Sequence, residues 1–137
     1  MHLWLLAWFA CGTAPPPEPT PTRSVQTEPT SLVGHRDVTA KALHDAKQQG
    51  EVQLIDVRSS HEFASGHVAG AINLPIEEFT LQDPRLSGLD KERPVYAICA
   101  SGGRSSVAVR HLSSGGFEAL NVTGGTRQWT ELGYPLE

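Results

Sequence analysis

The stretch Val95-Tyr96-Ala97-Ile98-Cys99-Ala100-Ser101-Gly102-Gly103-Arg104 decides how this chain folds and where its chemistry sits. An apolar strand, Val95 to Ile98, runs into a cysteine, and a short loop of small residues follows it. Beyond the loop, Ser105-Ser106-Val107-Ala108-Val109-Arg110-His111-Leu112 reads as a helix, with Ala108 and Leu112 one turn apart. Strand, tight loop and helix therefore meet at the sulfur of Cys99.

That geometry makes an anion cradle with a nucleophile in it. Consecutive backbone N–H groups of a short glycine-bearing loop converge on one point, and the unpaired N–H groups of the following helix add partial positive charge there. Both effects favour a thiolate, which is the reactive form, and Arg104 supplies a fixed positive charge at the far end of the loop. Such a pocket binds an incoming anion, keeps the cysteine ionised and stabilises charge on a transferred group. A buried cysteine that only fills space is the alternative. Two glycines and an arginine directly after it serve no packing purpose that Ala or Leu would not serve better.

Outward from this unit the chain alternates strands and helices. A short strand over Arg36–Val38 leads to a helix with Thr39 as N-cap and Gly50 as its end, carrying Ala42, Leu43 and Ala46 on one face. A strand over Val52–Val57, a short helix over Ser60–Ser65 and a short strand over Ala71–Leu74 follow. One or two helical turns fill Glu77–Leu86, broken by Pro84. After the strand and helix that flank Cys99 come a strand over Ala119–Val122 and a last helix over Thr126–Leu132. Repeated βα units predict an α/β fold, a mainly parallel sheet with helices on both faces and right-handed crossovers.

The chain has 137 residues, enough for one domain with a real core but not for two. Its net charge of −4 and scattered arginines provide no basic stripe, so no nucleic-acid partner is expected. Asp56 and Arg58 fall at the C-terminal end of a strand, the edge where open α/β sheets bind ligands. Their readings are support for the loop, an internal ion pair, or a helix cap, and nothing gives either a chemical step. His61 and His67 match no zinc spacing, so no metal site is expected, and Glu62 and His67 read as capping or salt-bridge residues. Asn121-Val122-Thr123 matches a glycosylation acceptor pattern.

At this point the chain resembles the single-domain rhodaneses, a sulfurtransferase family, over residues 35 to 137. Besides the loop, the resemblance rests on Leu54-Ile55-Asp56-Val57-Arg58, on Glu62-Phe63, and on Gly66-His67-Val68-Ala69-Gly70-Ala71-Ile72-Asn73-Leu74-Pro75. Gly124-Gly125-Thr126-Arg127-Gln128-Trp129 and Gly133-Tyr134-Pro135 resemble the family's closing segment. The resemblance implies a five-stranded α/β sheet in a domain over 34–137, without a cofactor. It implies that Cys99 receives sulfur as a persulfide, held by the N–H groups of Ala100, Ser101, Gly102, Gly103 and Arg104. The implied partners are a small-molecule donor such as thiosulfate and an acceptor such as cyanide or a thiol, including a thiol-bearing protein, and the implied state is a monomer. Related phosphatases and arsenate reductases carry a longer Cys-X5-Arg loop, whereas this chain has Cys-X4-Arg. A non-catalytic module that binds sulfur species or a partner protein, and a small cysteine-dependent phosphatase or arsenate reductase, which the loop length disfavours, are the other readings.

The N-terminus has a different character. Leu3-Trp4-Leu5-Leu6-Ala7-Trp8-Phe9-Ala10 is a continuous apolar run, too short to span a bilayer and followed at once by Cys11-Gly12. Residues 1–10 read as a lipoprotein-type signal peptide and Cys11 as the lipidated residue; an ordinary cleaved signal or an uncleaved anchor are the alternatives. Residues 12 to 31 hold six prolines mixed with Thr, Ser and Glu, a composition that cannot bury a core, so 11–33 reads as an extended tether. The expected place is the periplasmic face of a bacterial membrane, through a lipid anchor, or the soluble periplasm. With Cys11 blocked by lipid, Cys99 has no partner for a disulfide.

Overall fold

The computed structural model describes Gly12 and residues 34–137; residues 1–10, read as a signal, Cys11, read as lipidated, and the rest of the segment read as a tether lie outside the described residues. Five strands, β1 (His35–Thr39), β2 (Gln53–Asp56), β3 (Ile72–Asn73), β4 (Val95–Ile98) and β5 (Ala119–Thr123), form one sheet in the order β1-β5-β4-β2-β3. All four pairings are parallel, with Ala97 of β4 level with Ile55 on one side and Asn121 on the other. β4 is the central strand, so Cys99 emerges at the middle of the sheet's C-terminal edge.

Alternation along the strands sends successive side chains to opposite faces. Ile55, Val95 and Ala97 join one buried cluster with Ala108, Val109 and Leu112 of α3 (Gly103–Ser114). Leu54 and Ile98 join the other, with Ala40 and Leu43 of α1 (Ala40–Gln49) and Trp129 of α4 (Gly125–Glu131). Leu43, Leu54, Ile98 and Leu112 are almost wholly excluded from solvent, and each such burial contributes about 2 kcal/mol. The crossover from β1 to β2 runs one way across the sheet and that from β4 to β5 runs the other. Right-handed connections therefore place α1 and α3 on opposite faces.

Local signals account for most element ends. Thr39 caps α1 by accepting the Ala42 N–H at 3.1 Å, and α1 ends at Gly50. Ser59 caps α2 (Ser60–Ala64) in a reciprocal box with Glu62. Three expectations are corrected. Ala42 is exposed, because the inward stripe of α1 runs through Ala40 and Leu43, and residue 42 is rotated about 100° from it. Pro84 opens a 3-10 turn over Pro84–Leu86, where its missing N–H costs nothing, and a separate turn spans Ile76–Glu78. The helix after Cys99 begins at Gly103 and not at Ser105, because Gly102 already turns the chain as its cap with φ 106°.

Candidate functional site

The cysteine loop is held from behind by a second glycine turn. The Cys99 carbonyl accepts the Thr126 N–H at 2.8 Å, the Ala100 carbonyl accepts the Arg127 N–H at 3.1 Å, and the Ser101 carbonyl accepts the Gly124 N–H at 3.2 Å. With these three carbonyls bonded to the turn after β5, the loop's N–H groups are left to face the sulfur. The approach requires Gly125, whose φ is 55°: a Cβ there would overlap the Cys99 carbonyl oxygen and lie 2.6 Å from the Ala100 carbonyl carbon. Gly102 is also confined, since a Cβ on it would lie 3.3 Å from Thr123 Cα, whereas Gly103 faces open space.

Cys99 is 1% exposed and is the one free cysteine among the described residues. The Gly102 N–H donates to Sγ at 3.0 Å, and the Ser105 hydroxyl lies 3.4 Å from it. Burial pushes the thiol up, but the Ser105 hydroxyl and the N–H groups of Ser105, Ser101 and Gly102 outweigh that and hold it below its ordinary value. The N–H groups of Ser101, Gly102 and Ser105 therefore surround the sulfur, with the Ser105 hydroxyl beside them. Of the span Ala100 to Arg104 expected to cradle a persulfide, Ser101 and Gly102 donate to the sulfur at rest, and the N–H of Ser105, in the first turn of α3, joins them.

Arg104 directs its guanidinium to a carboxylate of the neighbouring helix. It makes a two-pronged ion pair with Glu62 of α2, Nη1 to Oε2 at 2.7 Å and Nη2 to Oε1 at 2.9 Å. The Arg104 guanidinium, helped by bonds from Ser59, holds the Glu62 carboxyl at about 2. Glu62 in turn raises Arg104, with Cys99 and Glu77 acting on it through space. Glu62 thus caps its own helix and ties that helix to the cysteine loop, combining both roles read for it.

Asp56 and Arg58 are brought together with each other. Arg58 Nε and Nη2 donate to the Asp56 carboxylate at 3.0 and 2.6 Å, and both residues are buried. Arg58 Nη2 also reaches the Gly66 carbonyl at 2.8 Å, and Asn73 Nδ2 donates to the carbonyls of Asp56 and Arg58. The pair stitches β2, β3 and the segment after α2, and none of its hydrogen bonds goes to residues 99–104. His67 stacks on Phe63 with ring centroids 3.7 Å apart. Asn121 is buried inside β5 and hydrogen-bonded through its side chain, so the folded domain offers no glycosylation acceptor there.

Ser105, Asn121 and the Gly124–Thr126 turn were not singled out as site residues from sequence. The Gly124-Gly125 pair was the available signal, since adjacent glycines at a strand end mark a close backbone approach. Ser105 and Asn121 carried none: one looked like a helix residue and the other like part of a strand.

The chain matches the model of the rhodanese-like domain over residues 39–132. It is 34% identical over 87 residues to a protein called sulfurtransferase from Allochromatium vinosum, covering 63% of this chain and 78% of the relative. It is 33% identical over 102 residues to the HTH-type transcriptional regulator Rv0324 of Mycobacterium tuberculosis, covering 73% of this chain but 44% of the regulator, less than half its length. The fold superposes on a rhodanese-related protein from Thermoplasma volcanium with a TM-score of 0.64 at 34% identity, over 74% of this chain and 97% of that one. With the parallel five-stranded sheet, the central-strand cysteine and these likenesses together, the chain belongs to the rhodanese-like domain family.

Proposed function

We propose that the domain is a sulfurtransferase that carries sulfane sulfur on Cys99. The observation that supports this reading best is the Cys99 sulfur under the Gly102 N–H, in a loop whose carbonyls are bonded away from it. In the first step the thiolate attacks the outer sulfur of thiosulfate; the S–S bond of the donor breaks, sulfite leaves with the bonding pair, and a Cys99 persulfide anion remains. In the second step cyanide or a thiolate attacks the outer sulfur, thiocyanate or a new persulfide leaves, and the Cys99 thiolate is regenerated. No net oxidant is consumed, and a covalent intermediate split over two steps produces ping-pong kinetics. The six-residue loop from Cys99 to Arg104 suits a single added sulfur better than a phosphate. The test compares thiosulfate plus cyanide with an aryl phosphate, each with the natural chain and Cys99→Ser. Thiocyanate formation that vanishes in the variant, with no phosphate release, is expected; release of phosphate alone, or no turnover of either substrate, overturns the reading.

The same proposal extends to location. Residues 1–10 act as a lipoprotein-type signal, Cys11 carries the lipid, and 11–33 hold a monomeric domain off the periplasmic face of a membrane. The apolar run before Cys11-Gly12 and the six prolines in residues 12 to 31 support this. Mass measurement of the mature protein from a membrane fraction tests it. A lipid-modified Cys11 as first residue is expected, and an unmodified chain beginning at Met1 refutes it.

A further inference from the structure

Beneath α3 a line of polar side chains leads from the sulfur to the edge of the sheet. Ser105 Oγ lies 3.4 Å from Cys99 Sγ and donates to Asn121 Oδ1 at 2.7 Å. Asn121 Nδ2 donates to Asp37 Oδ1 at 2.8 Å. Ser105 is wholly buried and Asn121 nearly so, at 4% exposed, while Asp37 stands on the exposed edge strand β1. Three elements, α3, β5 and β1, contribute one residue each.

We infer that Asn121 and Asp37 are positioning residues that regulate how readily Cys99 ionises, by withholding the Ser105 hydroxyl proton from the sulfur. A serine hydroxyl has one proton to donate. Two acceptors compete for it, the Asn121 carbonyl oxygen and Sγ. The Asn121 amide is oriented by Asp37: a carboxylate takes only donors, so Nδ2 faces Asp37 and the carbonyl end must face Ser105. The proton therefore rests on the asparagine side, and a lone pair of Ser105 Oγ faces the sulfur, where it accepts the S–H of a neutral thiol. When the sulfur ionises, the hydroxyl must turn toward it and give up the 2.7 Å bond to Asn121. Asn121 thus holds the thiolate back, although Ser105 itself supports it.

The fixed charges near this line are known. On the sulfur side Arg104 bears on Cys99, with Glu62 paired to it and Glu77 acting on it. At the outer end Asp37 shares a surface cavity of about 300 Å³ with His35, Arg36 and Arg110, and Arg36 is itself paired with Glu118 at 3.2 Å. None of these groups lies within the Ser105–Asn121 link, so the link can be altered without changing a charge.

The test is the pH dependence of iodoacetamide alkylation at Cys99, followed on the Cys99 peptide of the full chain by mass spectrometry. Below the inflection the rate follows the thiolate fraction, and the plateau at high pH reports access. Asn121→Leu removes the acceptor that competes with Sγ for the Ser105 proton, so the rate below the inflection rises about threefold with the plateau unchanged. Ser105→Ala lowers it by a similar factor, and the double variant matches Ser105→Ala. A fall or no change in Asn121→Leu, or a rise that persists without Ser105, overturns the inference. Should Asn121→Leu fail to fold, Asp37→Ala at the exposed edge replaces it. Its expected effect is about a twofold rise that disappears in the Ser105→Ala background. A rise surviving in that background reports only the lost charge of Asp37 and also overturns it.

Discussion

Arg104 gives both terminal nitrogens of its guanidinium to Glu62, at 2.7 and 2.9 Å. The one fixed positive charge of the cysteine loop is thereby shared with a carboxylate from α2, which is also the cap of that helix. The ion pair thus joins the cap of α2 to the loop that carries Cys99, and the Arg104 charge that acts on Cys99 is shared with Glu62.

Glu62→Gln separates these roles, since glutamine keeps the capping box and loses the charge. Glu62 sits at about 2 when folded, below the ordinary 4.5, so its contribution to stability is present above pH 4.5 and is lost as pH falls toward 2. Both side chains are about a third exposed, 33% and 37%, so screening limits the effect to about 1 kcal/mol or less. Denaturant melts at pH 7 should show that loss in Glu62→Gln, and the gap between the two proteins should narrow as pH falls from 4.5 and close as it passes through the about 2 of the folded carboxyl. The freed Arg104 should also shift Cys99 alkylation to lower pH.

Gly103 and Gly125 should respond oppositely to alanine. Gly103→Ala places its Cβ in open space at the start of α3 and should stabilise by about 0.5 kcal/mol, with alkylation of Cys99 unchanged. Gly125→Ala drives a Cβ into the backbone of Cys99 and Ala100 and should cost about 3 kcal/mol or more. Thermal melts together with alkylation rates distinguish the two.

Asp56→Ala leaves the buried Arg58 guanidinium without its carboxylate and should destabilise by about 3–5 kcal/mol. The pH dependence of Cys99 alkylation in the folded fraction should stay as it was. A moved alkylation inflection would assign the pair a role at the loop beyond holding β2 and β3 together.

The Cys99 thiol is held below its ordinary value of 9.0 by Ser105, Ser101 and Gly102 donors that outweigh burial. Iodoacetamide should therefore react with Cys99 along a curve whose inflection lies below that of the unfolded protein in denaturant. An equal or higher inflection in the folded chain contradicts this.

The succession of strands and helices was legible from local signals: the apolar run Val95–Ile98 before Cys99, and Thr39 as the cap that opens the first helix. Of the readings open for Asp56 and Arg58, the internal ion pair is the one their side chains make, since two opposite charges two residues apart at a strand end can close on each other. The Gly124-Gly125 pair signals a close backbone approach, but sequence could not supply its partner in the Cys99 loop, because those hydrogen bonds join backbone groups more than twenty residues apart through carbonyls that every residue carries. The start of α3 was misplaced for a related reason. Glycine at position 103 disfavours a helix interior, yet at a first turn, after a left-handed Gly102, it costs little.

The central claim is that Cys99 carries sulfur. The direct measurement is the mass of the Cys99 peptide after incubation of the full chain with thiosulfate and removal of excess donor, repeated after addition of cyanide. A gain of one sulfur atom on that peptide, lost on treatment with cyanide and missing from Cys99→Ala, is the predicted result. A Cys99 peptide that gains nothing, or a sulfur adduct that persists in Cys99→Ala, contradicts it.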